Sequence, residues 1–265
     1  NCYINLNLSK FTNSKMKNPK ISIITVVKNN KNYIEKNIIS LLDQKYKNYE
    51  HIIIDGKSTD GTLDIINKYK KHFSHFISEN DDGIYDAMNK GIDAASGDII
   101  GILNSDDYFY EDALKIVKSY FENKPEIDFL FGTVHKFSLR YGFYPRKIYW
   151  TFNFYTTHSV GFFIKKNSQK KLGYYNTKYK YSSDYDLFYR MIVKEKMIGA
   201  ATKKNEVLGY FNPHGFSSSL KYIDFLNENT QIRLDNHQNK LIVWIIHFLR
   251  LSKRILRVIK ESKKK

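Results

Sequence analysis

The chain has 265 residues, of which 42% are hydrophobic and 15% aromatic, enough for a sizeable core and too apolar for a disordered chain. A single cysteine, Cys2, excludes an internal disulfide framework and fits a reducing compartment. Lys and Arg number 43 against 27 Asp and Glu, and this formal charge of +16 favours anionic neighbours: nucleic acid, anionic lipid or phosphorylated substrates.

Residues 1–18 are polar and lack the apolar stretch of a signal peptide, so they read as a flexible leader, within which Met16 is itself a candidate start. Ile21 to Val27 is a β-branched, apolar run and predicts a buried strand. Asn30 is placed to cap a helix whose Ile34, Ile38, Leu41 and Leu42 share a face. His51 to Ile54 predicts a second strand, and Thr59 or Asp60 opens a helix reaching about Tyr69. A third strand over His75 to Ser78, a helix over Ile84 to Ala95 and a fourth strand over Asp98 to Leu103 follow. Strands alternating with helices imply a parallel α/β sheet with right-handed crossovers.

Ligands of such sheets bind beyond the carboxyl ends of the strands, and the polar residues obey that rule here. Thr25 and Lys28 end the first strand, Asp55 the second, Glu79 to Asp82 the third, and Asn104-Ser105-Asp106-Asp107 the fourth. No GxGxxG follows the first strand and no GxxxxGK[ST] occurs, so neither a dinucleotide site nor a P-loop is indicated. A nucleotide diphosphate on this sheet therefore needs another counter-charge. A Mg²⁺ or Mn²⁺ ion on the hard carboxylate oxygens of Asp106 and Asp107 is the candidate, the alternative being a plain turn or helix cap.

Three segments carry a resemblance: ISIITVVKNN, IIIDGKSTDGT and DDGIYDAMNKGIDAASGDIIGILNSDDYF. Together they resemble the family 2 glycosyltransferases of GT-A fold, in particular the branch that builds bacterial lipopolysaccharide, capsule and exopolysaccharide. The likeness is strong from Pro19 to Asp112 and looser to about Ser218. It implies that Thr25 and Asp55 hold the base and ribose of a donor nucleotide, probed further along by Asp82, Tyr85, Asn89 and Lys90 around the nucleotide and sugar. Asn104 and Asp106, with Ser105 between them, stand where the family has its Asp-x-Asp metal motif. The first Asp is replaced by Asn104, which leaves Asp106 and Asp107 as the charged ligands.

After Glu126 the pattern loosens. Phe129 to Phe137, Phe143 to Tyr149 and Val160 to Lys165 predict strands, Asp184 to Lys196 a helix, and Ile198 to Ala201 and Val207 to Phe211 short strands. Sugar transfer to an alcohol needs a base beside the attacking hydroxyl. Asp184 and Asp186 in YSSDYDLFYRM sit at a helix start, where Asp is also a good cap. The resemblance, which has Ser183 in place of a first acidic residue, implies that Asp184 is the base. Asp186 and Arg190, four apart, suit either the acceptor side or a helix ion pair. His158 and His214 match residues near the diphosphate or acceptor in similar enzymes; a core histidine and a surface loop are the respective alternatives.

Beyond Gln238 apolar Phe248, Leu251, Ile255, Leu256, Val258 and Ile259 fall on one helical face and Arg250, Lys253, Arg254, Arg257 and Lys260 on the other. That split suits an anchor on an anionic membrane surface, or a helix docked on its own domain. No run reaches the roughly 18 apolar residues of a spanning helix.

The expectation is thus an α/β GT-A domain over residues 19–238, with a nucleotide-binding half (19–125) and an acceptor half (126–238). A basic amphipathic helix follows over 239–265. The expected protein is a cytoplasmic enzyme on the inner face of the plasma membrane. It would move a sugar, with inversion, from a nucleotide diphosphate to a hydroxyl of a glycan or lipid-linked glycan. Nucleic acid is not an expected partner. Two rivals stand beside it: a sugar nucleotidyltransferase, for which VVKNNKN lacks a Gly-rich loop, and a non-enzymatic basic binding module.

Overall fold

The computed structural model describes residues 16–150, 154–215 and 221–262; of the expected leader, residues 1–15 lie outside the described residues, as do 216–218 at the end of the looser likeness. Strands β1 (Ile21–Val27), β2 (Tyr49–Asp55), β3 (His75–Ser78) and β4 (Ile99–Ile102) pair in parallel, β4 and β2 flanking β1 and β3 lying beyond β2. Alternation along β1 divides its side chains between two layers. Ile24 and Val26 pack in the same core as Tyr85 and Met88 of helix α3 (Ile84–Ala94). Val27 packs with Ile34 and Ile38 of α1 (Ile34–Leu42) and Ile66 of α2 (Thr62–Lys68). Ile21 and Ile23 share a third cluster with Leu114, Val117 and Phe121 of α4 (Ala113–Asn123). Asn30 does not cap α1 through its side chain; its carbonyl closes the turn onto Ile34 N–H, and its amide reaches Ser105.

The second half corrects two expected strands. Phe129 to Phe137 is not continuous: β6 (Phe129–Phe131) lies in the main sheet and β7 (Thr133–His135) in another. The break is at Gly132, where an added Cβ would stand 1.9 Å from Leu208 Cδ1, so only glycine lets the chain pass so closely. Phe143 to Tyr149 is not a strand either. Pro145 starts a 3₁₀ turn over Pro145–Tyr149, its ring fixing φ and removing a ladder N–H, while Phe143 packs on Phe129 and Phe131.

Strand β9 (Phe162–Lys165) runs antiparallel between β4 and β6, and β10 (Gly199–Ala201) closes the main sheet beyond β6. Among the described residues the order is β10-β6-β9-β4-β1-β2-β3. A small sheet joins β5 (Tyr108–Phe109), β11 (Val207–Tyr210), β7 and β8 (Leu139–Arg140) in that order. Helix α5 (Lys166–Leu172) follows β9, and α6 covers Ser183–Tyr189 before widening to a π turn over Arg190–Lys194, shorter than the helix expected to Lys196.

The boundary expected near residue 239 falls between α7 (Tyr222–Asp235) and α8 (Lys240–Ser262). The start of α8 docks on the domain: Val243 and His247 are buried, His247 Nδ1 meets Thr230 Oγ1 at 2.9 Å, and Arg250 Nη2 donates to Trp150 O at 2.6 Å. Leu241, Trp244, Ile245, Phe248 and Leu249 nevertheless stay exposed, as do Ile255, Leu256, Val258 and Ile259 farther along. No helix among the described residues is long and apolar enough to cross a membrane.

Candidate active site

The carboxyl ends of β1, β2 and β4 are laced together by loop hydrogen bonds. Asn29 N–H donates to Ser58 Oγ at 2.8 Å, Asn30 N–H to Thr62 Oγ1 at 2.8 Å, and Asn30 Nδ2 to Ser105 Oγ at 2.7 Å. Asp55, fully buried at the end of β2, accepts from Ser78 Oγ at 2.6 Å and Ser58 N–H at 3.2 Å through Oδ2. Its Oδ1 is buried with no hydrogen-bond partner among the described residues. A buried carboxylate oxygen left open at a strand end is costly unless a ligand donor meets it.

Thr25 is not brought to this cleft. It lies two residues before the end of β1, on the face toward α1, fully buried, with its hydroxyl 3.0 Å from His51 Nε2 and donating to Asn37 Oδ1 at 3.3 Å. Lys90 does not reach into open space: its ammonium is held by Glu79 (2.8 Å), Asp81 (2.9 Å) and Asp86 (3.0 Å), and those partners raise its pKa. It clamps the loop after β3. Asp81 in turn lies against Gly56, where a Cβ would stand 2.8 Å from Asp81 Oδ2. Asp82 is exposed on that loop and its N–H donates to Asp86 Oδ2 at 3.2 Å.

The loop after β4 holds the second acidic group. Asn37 Nδ2 donates to the carbonyls of Asn104 and Asp107, both at 2.9 Å, and Asn104 N–H donates to Ser159 Oγ at 2.8 Å. Asp107 Oδ1 accepts Asn212 N–H at 2.7 Å and fixes the segment after β11. That segment lies over Asp106: Asn212 Nδ2 approaches Asp106 Oδ2 at 3.4 Å, and a Cβ on Gly215 would stand 2.1 Å from it. His214, on this segment, is exposed beside Phe137, ring centroids 5.8 Å apart. Burial raises the Asp106 pKa, and burial with the like charge of Asp106 raises that of Asp107.

Among the described residues Asn104 Oδ1 and Asp107 Oδ2 are buried without hydrogen-bond partners, and Asp106 Oδ2 receives a long bond of 3.4 Å from the Asn212 amide. Unsatisfied oxygens around two crowded carboxylates fit a hard divalent cation. Among the described residues no group of three or more His, Cys, Asp and Glu side chains forms a ready cage.

Asp184 opens α6 and faces the donor half. Its Oδ1 accepts Tyr185 N–H at 2.9 Å and the Tyr85 hydroxyl of α3 at 3.3 Å; its Oδ2 accepts the Tyr155 hydroxyl at 3.1 Å. Burial raises the carboxyl pKa despite these donors. The Tyr85, Tyr155 and Tyr175 hydroxyls are held protonated, first by burial and then by the Asp184 charge. Tyr175 stacks on Tyr85, centroids 5.6 Å apart, and meets His158 Nε2 at 2.6 Å. Burial pulls the His158 pKa down to about 3, so the ring is neutral. Asn89 exchanges two 2.9 Å hydrogen bonds with the Tyr175 main chain and so orders this wall.

Asp186 and Arg190 are taken up elsewhere. Arg190 Nε meets Asp186 Oδ2 at 2.9 Å while its other nitrogens donate to Leu172 O and Tyr174 O, and Asn236 Nδ2 donates to Asp186 Oδ1 at 3.0 Å. They are a brace between α6, the end of α5 and α7. Tyr155, Tyr175 and Asn212 escaped sequence reasoning, since aromatic residues abound here and nothing local marks these three.

A mostly parallel sheet flanked by helices, with carboxylates at its strand ends and a small sheet beside them, is the GT-A class of fold. The sequence pattern described as Glycosyl transferase family 2 matches residues 22–195, and the chain belongs to that family. It is 39% identical over 101 residues to a putative teichuronic acid biosynthesis glycosyltransferase, TuaG, of Bacillus subtilis, covering 37% of this chain and 40% of that protein. It is also 33% identical over 120 residues to a Mycobacterium bovis PGL/p-HBAD biosynthesis glycosyltransferase, covering 44% of this chain and 47% of the relative. These alignments span less than half the length of the curated relatives. Among solved structures, S. aureus TarS 1-349 in complex with UDP-GlcNAc is similar with a TM-score of 0.66 at 20% identity, over 86% of this chain and 70% of that one. The mannosyltransferase PcManGT of Pyrobaculum calidifontis, in complex with GDP-Man and Mn2+, is similar with a TM-score of 0.65 at 17% identity, over 88% and 70%.

Proposed function

We propose that this protein transfers a sugar, with inversion, from a nucleoside diphosphate to a hydroxyl of a bacterial cell-surface glycan or its lipid-linked precursor. The observation that carries the reading is Asp184: a buried carboxylate that meets Tyr85 of the nucleotide half through one oxygen and Tyr155 of the other half through its second. Such a carboxylate can take the acceptor proton as the new bond forms at the anomeric carbon and the diphosphate departs from the opposite face. Asp55 Oδ1, open and buried, suits an N–H of the donor's base. Asp106, with Asn104 and Asp107 beside it, would hold Mg²⁺ or Mn²⁺, which supplies positive charge to the departing diphosphate. His214 borders this loop from the outside. UDP is the favoured donor nucleotide because the similar TarS structure binds UDP-GlcNAc.

Partial docking of α8 leaves an exposed row of Leu241, Trp244, Phe248, Ile255 and Ile259 beside Arg254, Arg257 and Lys260. We read this as a peripheral contact with an anionic membrane, which would keep the enzyme at the cytoplasmic leaflet near a lipid-linked acceptor. The enzymatic reading is tested by incubating the purified protein with a panel of UDP-, GDP- and dTDP-sugars, with Mn²⁺, Mg²⁺ or chelator. Slow metal-dependent hydrolysis of one donor class is expected; a protein inert to the whole panel that binds none of the nucleotides would refute it.

A further inference from the structure

A cavity of about 380 Å³ is lined in part by Lys136, Arg140, Tyr141, Lys147, Tyr155 and Thr156, and Tyr155 links it to Asp184. Its volume is in the range of small-ligand sites. Three of its walls are cationic and none is acidic. Among the described residues, Lys136, Arg140 and Lys147 form no ion pair; Lys136 instead lies over the Phe211 ring at 4.3 Å and Lys147 over Tyr144 at 4.1 Å. Lys204 adds a further positive charge behind Tyr141, 5.1 Å from its ring. Burial and the charge of Arg140 lower the Lys136 pKa, and the charge of Asp107 on the neighbouring loop opposes them. The Thr156 hydroxyl oxygen is buried with no hydrogen-bond partner among the described residues.

Among the described residues the lining comes from residues 136–156, in the acceptor half, with Lys136 also within reach of the Asp107 charge. Tyr155 is the shared wall, since its hydroxyl donates to Asp184 Oδ2. A hydroxyl held at Asp184 would therefore belong to a molecule whose neighbouring unit enters the cavity. We infer that this cavity is an acceptor subsite for an anionic saccharide or polyol, which presents a phosphate or carboxylate to Lys136, Arg140 and Lys147. The inference rests on the glycosyltransferase reading for its word "acceptor", and on the cavity itself for its word "anionic".

The test is a calorimetric titration of the full chain with three probes of equal length: a galacturonate trimer, a glycerol-phosphate trimer and neutral maltotriose. At least one anionic trimer should bind about tenfold more tightly than maltotriose at low salt, the size that two or three solvent-accessible charge contacts supply. The gap should shrink at high salt as the charges are screened. The better anionic trimer tells phosphate from carboxylate. An Arg140→Gln, Lys147→Gln double variant, at two exposed positions, should lose the preference and keep its affinity for UDP. An Arg254→Gln, Arg257→Gln variant on α8, with the same loss of net charge, should keep the preference. Equal binding of maltotriose, or a preference that survives in the Arg140/Lys147 variant, overturns the inference, as does a matching loss of UDP affinity, which would assign the cavity to the donor. Anion preference in a protein without affinity for UDP, GDP or dTDP would sink the acceptor role along with the proposed function. Nucleotide affinity without anion preference sinks the inference alone.

Discussion

Replacing Asp184 by Asn tests the base and the fold separately. The side chain keeps its shape, and its remaining carbonyl oxygen can still accept Tyr185 N–H and the Tyr85 hydroxyl. Opposite Tyr155 the new amide donates where the carboxylate accepted, and the Tyr155 hydroxyl must turn to receive it. One reversed hydrogen bond changes stability by roughly 1–2 kcal/mol. Loss of the base removes roughly 10²–10⁴-fold of transfer, equal to about 3–5 kcal/mol in the barrier. The wild-type rate should rise with pH through a midpoint above the ordinary carboxylate range, because burial raises the Asp184 pKa, and the variant should lose that rise. The stability linkage has the opposite sense. A raised folded pKa means that the proton stabilises the fold, fully below the unfolded pKa of about 4 and decreasingly as pH climbs through the folded value. The variant, which cannot ionise, should escape this loss. Transfer assays, nucleotide titration and thermal melting on the same preparations decide the matter. Retained transfer within a few-fold of wild type, or a fall in nucleotide affinity as large as the fall in rate, would refute the role assigned to Asp184.

Asp106→Asn should weaken metal-dependent donor binding by roughly tenfold or more, the scale of a charged contact, with little change in metal-free nucleotide binding measured by titration. Gly215→Ala, whose Cβ would stand 2.1 Å from Asp106 Oδ2, should produce a similar but smaller defect and leave the melting temperature nearly unchanged. Glu50 is buried, which alone would raise its pKa, yet Lys20, Ser22 and Ser96 bring it down to about 2. Its contribution, on the order of 2 kcal/mol, is present above pH about 4.5 and lost as pH falls through about 2, so Glu50→Gln should lower the melting temperature at neutral pH and flatten its fall in acid. Phe248→Glu with Leu256→Glu, both at exposed positions of α8, should release the protein from anionic vesicles in a sedimentation assay without altering its melting; continued sedimentation would exclude the membrane role.

The first half was legible because each β-branched run ended in a polar residue and each helix had an unbroken apolar face. His75 to Ser78 fell where the sequence put it, and Asp55 and Asp106 followed from their places at strand ends. Thr25 was misplaced by two residues: alternation turns positions 23, 25 and 27 toward α1 and α4, and only the last of them reaches the strand's end. Lys90 was expected along the nucleotide and sugar pocket; that Glu79, Asp81 and Asp86, all near it in sequence, hold its ammonium shows only in the folded geometry. The second half resisted for a different reason. Aromatic side chains fit both a strand and the wall of a site, so Phe129 to Phe137 concealed the break at Gly132, whose cause, Leu208, lies far along the chain. Tyr155 and Tyr175 acquire meaning only from the fold that sets them against Asp184.

The small sheet makes the two loops around Asp106 mechanically one. Strand β5 begins at Tyr108, immediately after Asp107, and β11 ends at Tyr210, two residues before Asn212; the strands pair Phe109 with Gly209 and Tyr108 with Tyr210. Asp107 then bolts the far side by accepting Asn212 N–H. The floor and the cover of the pocket are thus two ends of a single frame, and a load on one is felt at the other. Gly209 is where the two strands of that frame come closest to backbone contact, since a Cβ there would stand 2.2 Å from Tyr108 O. A methyl group at this position would pry β11 from β5 and shift Asp106 without ever touching it.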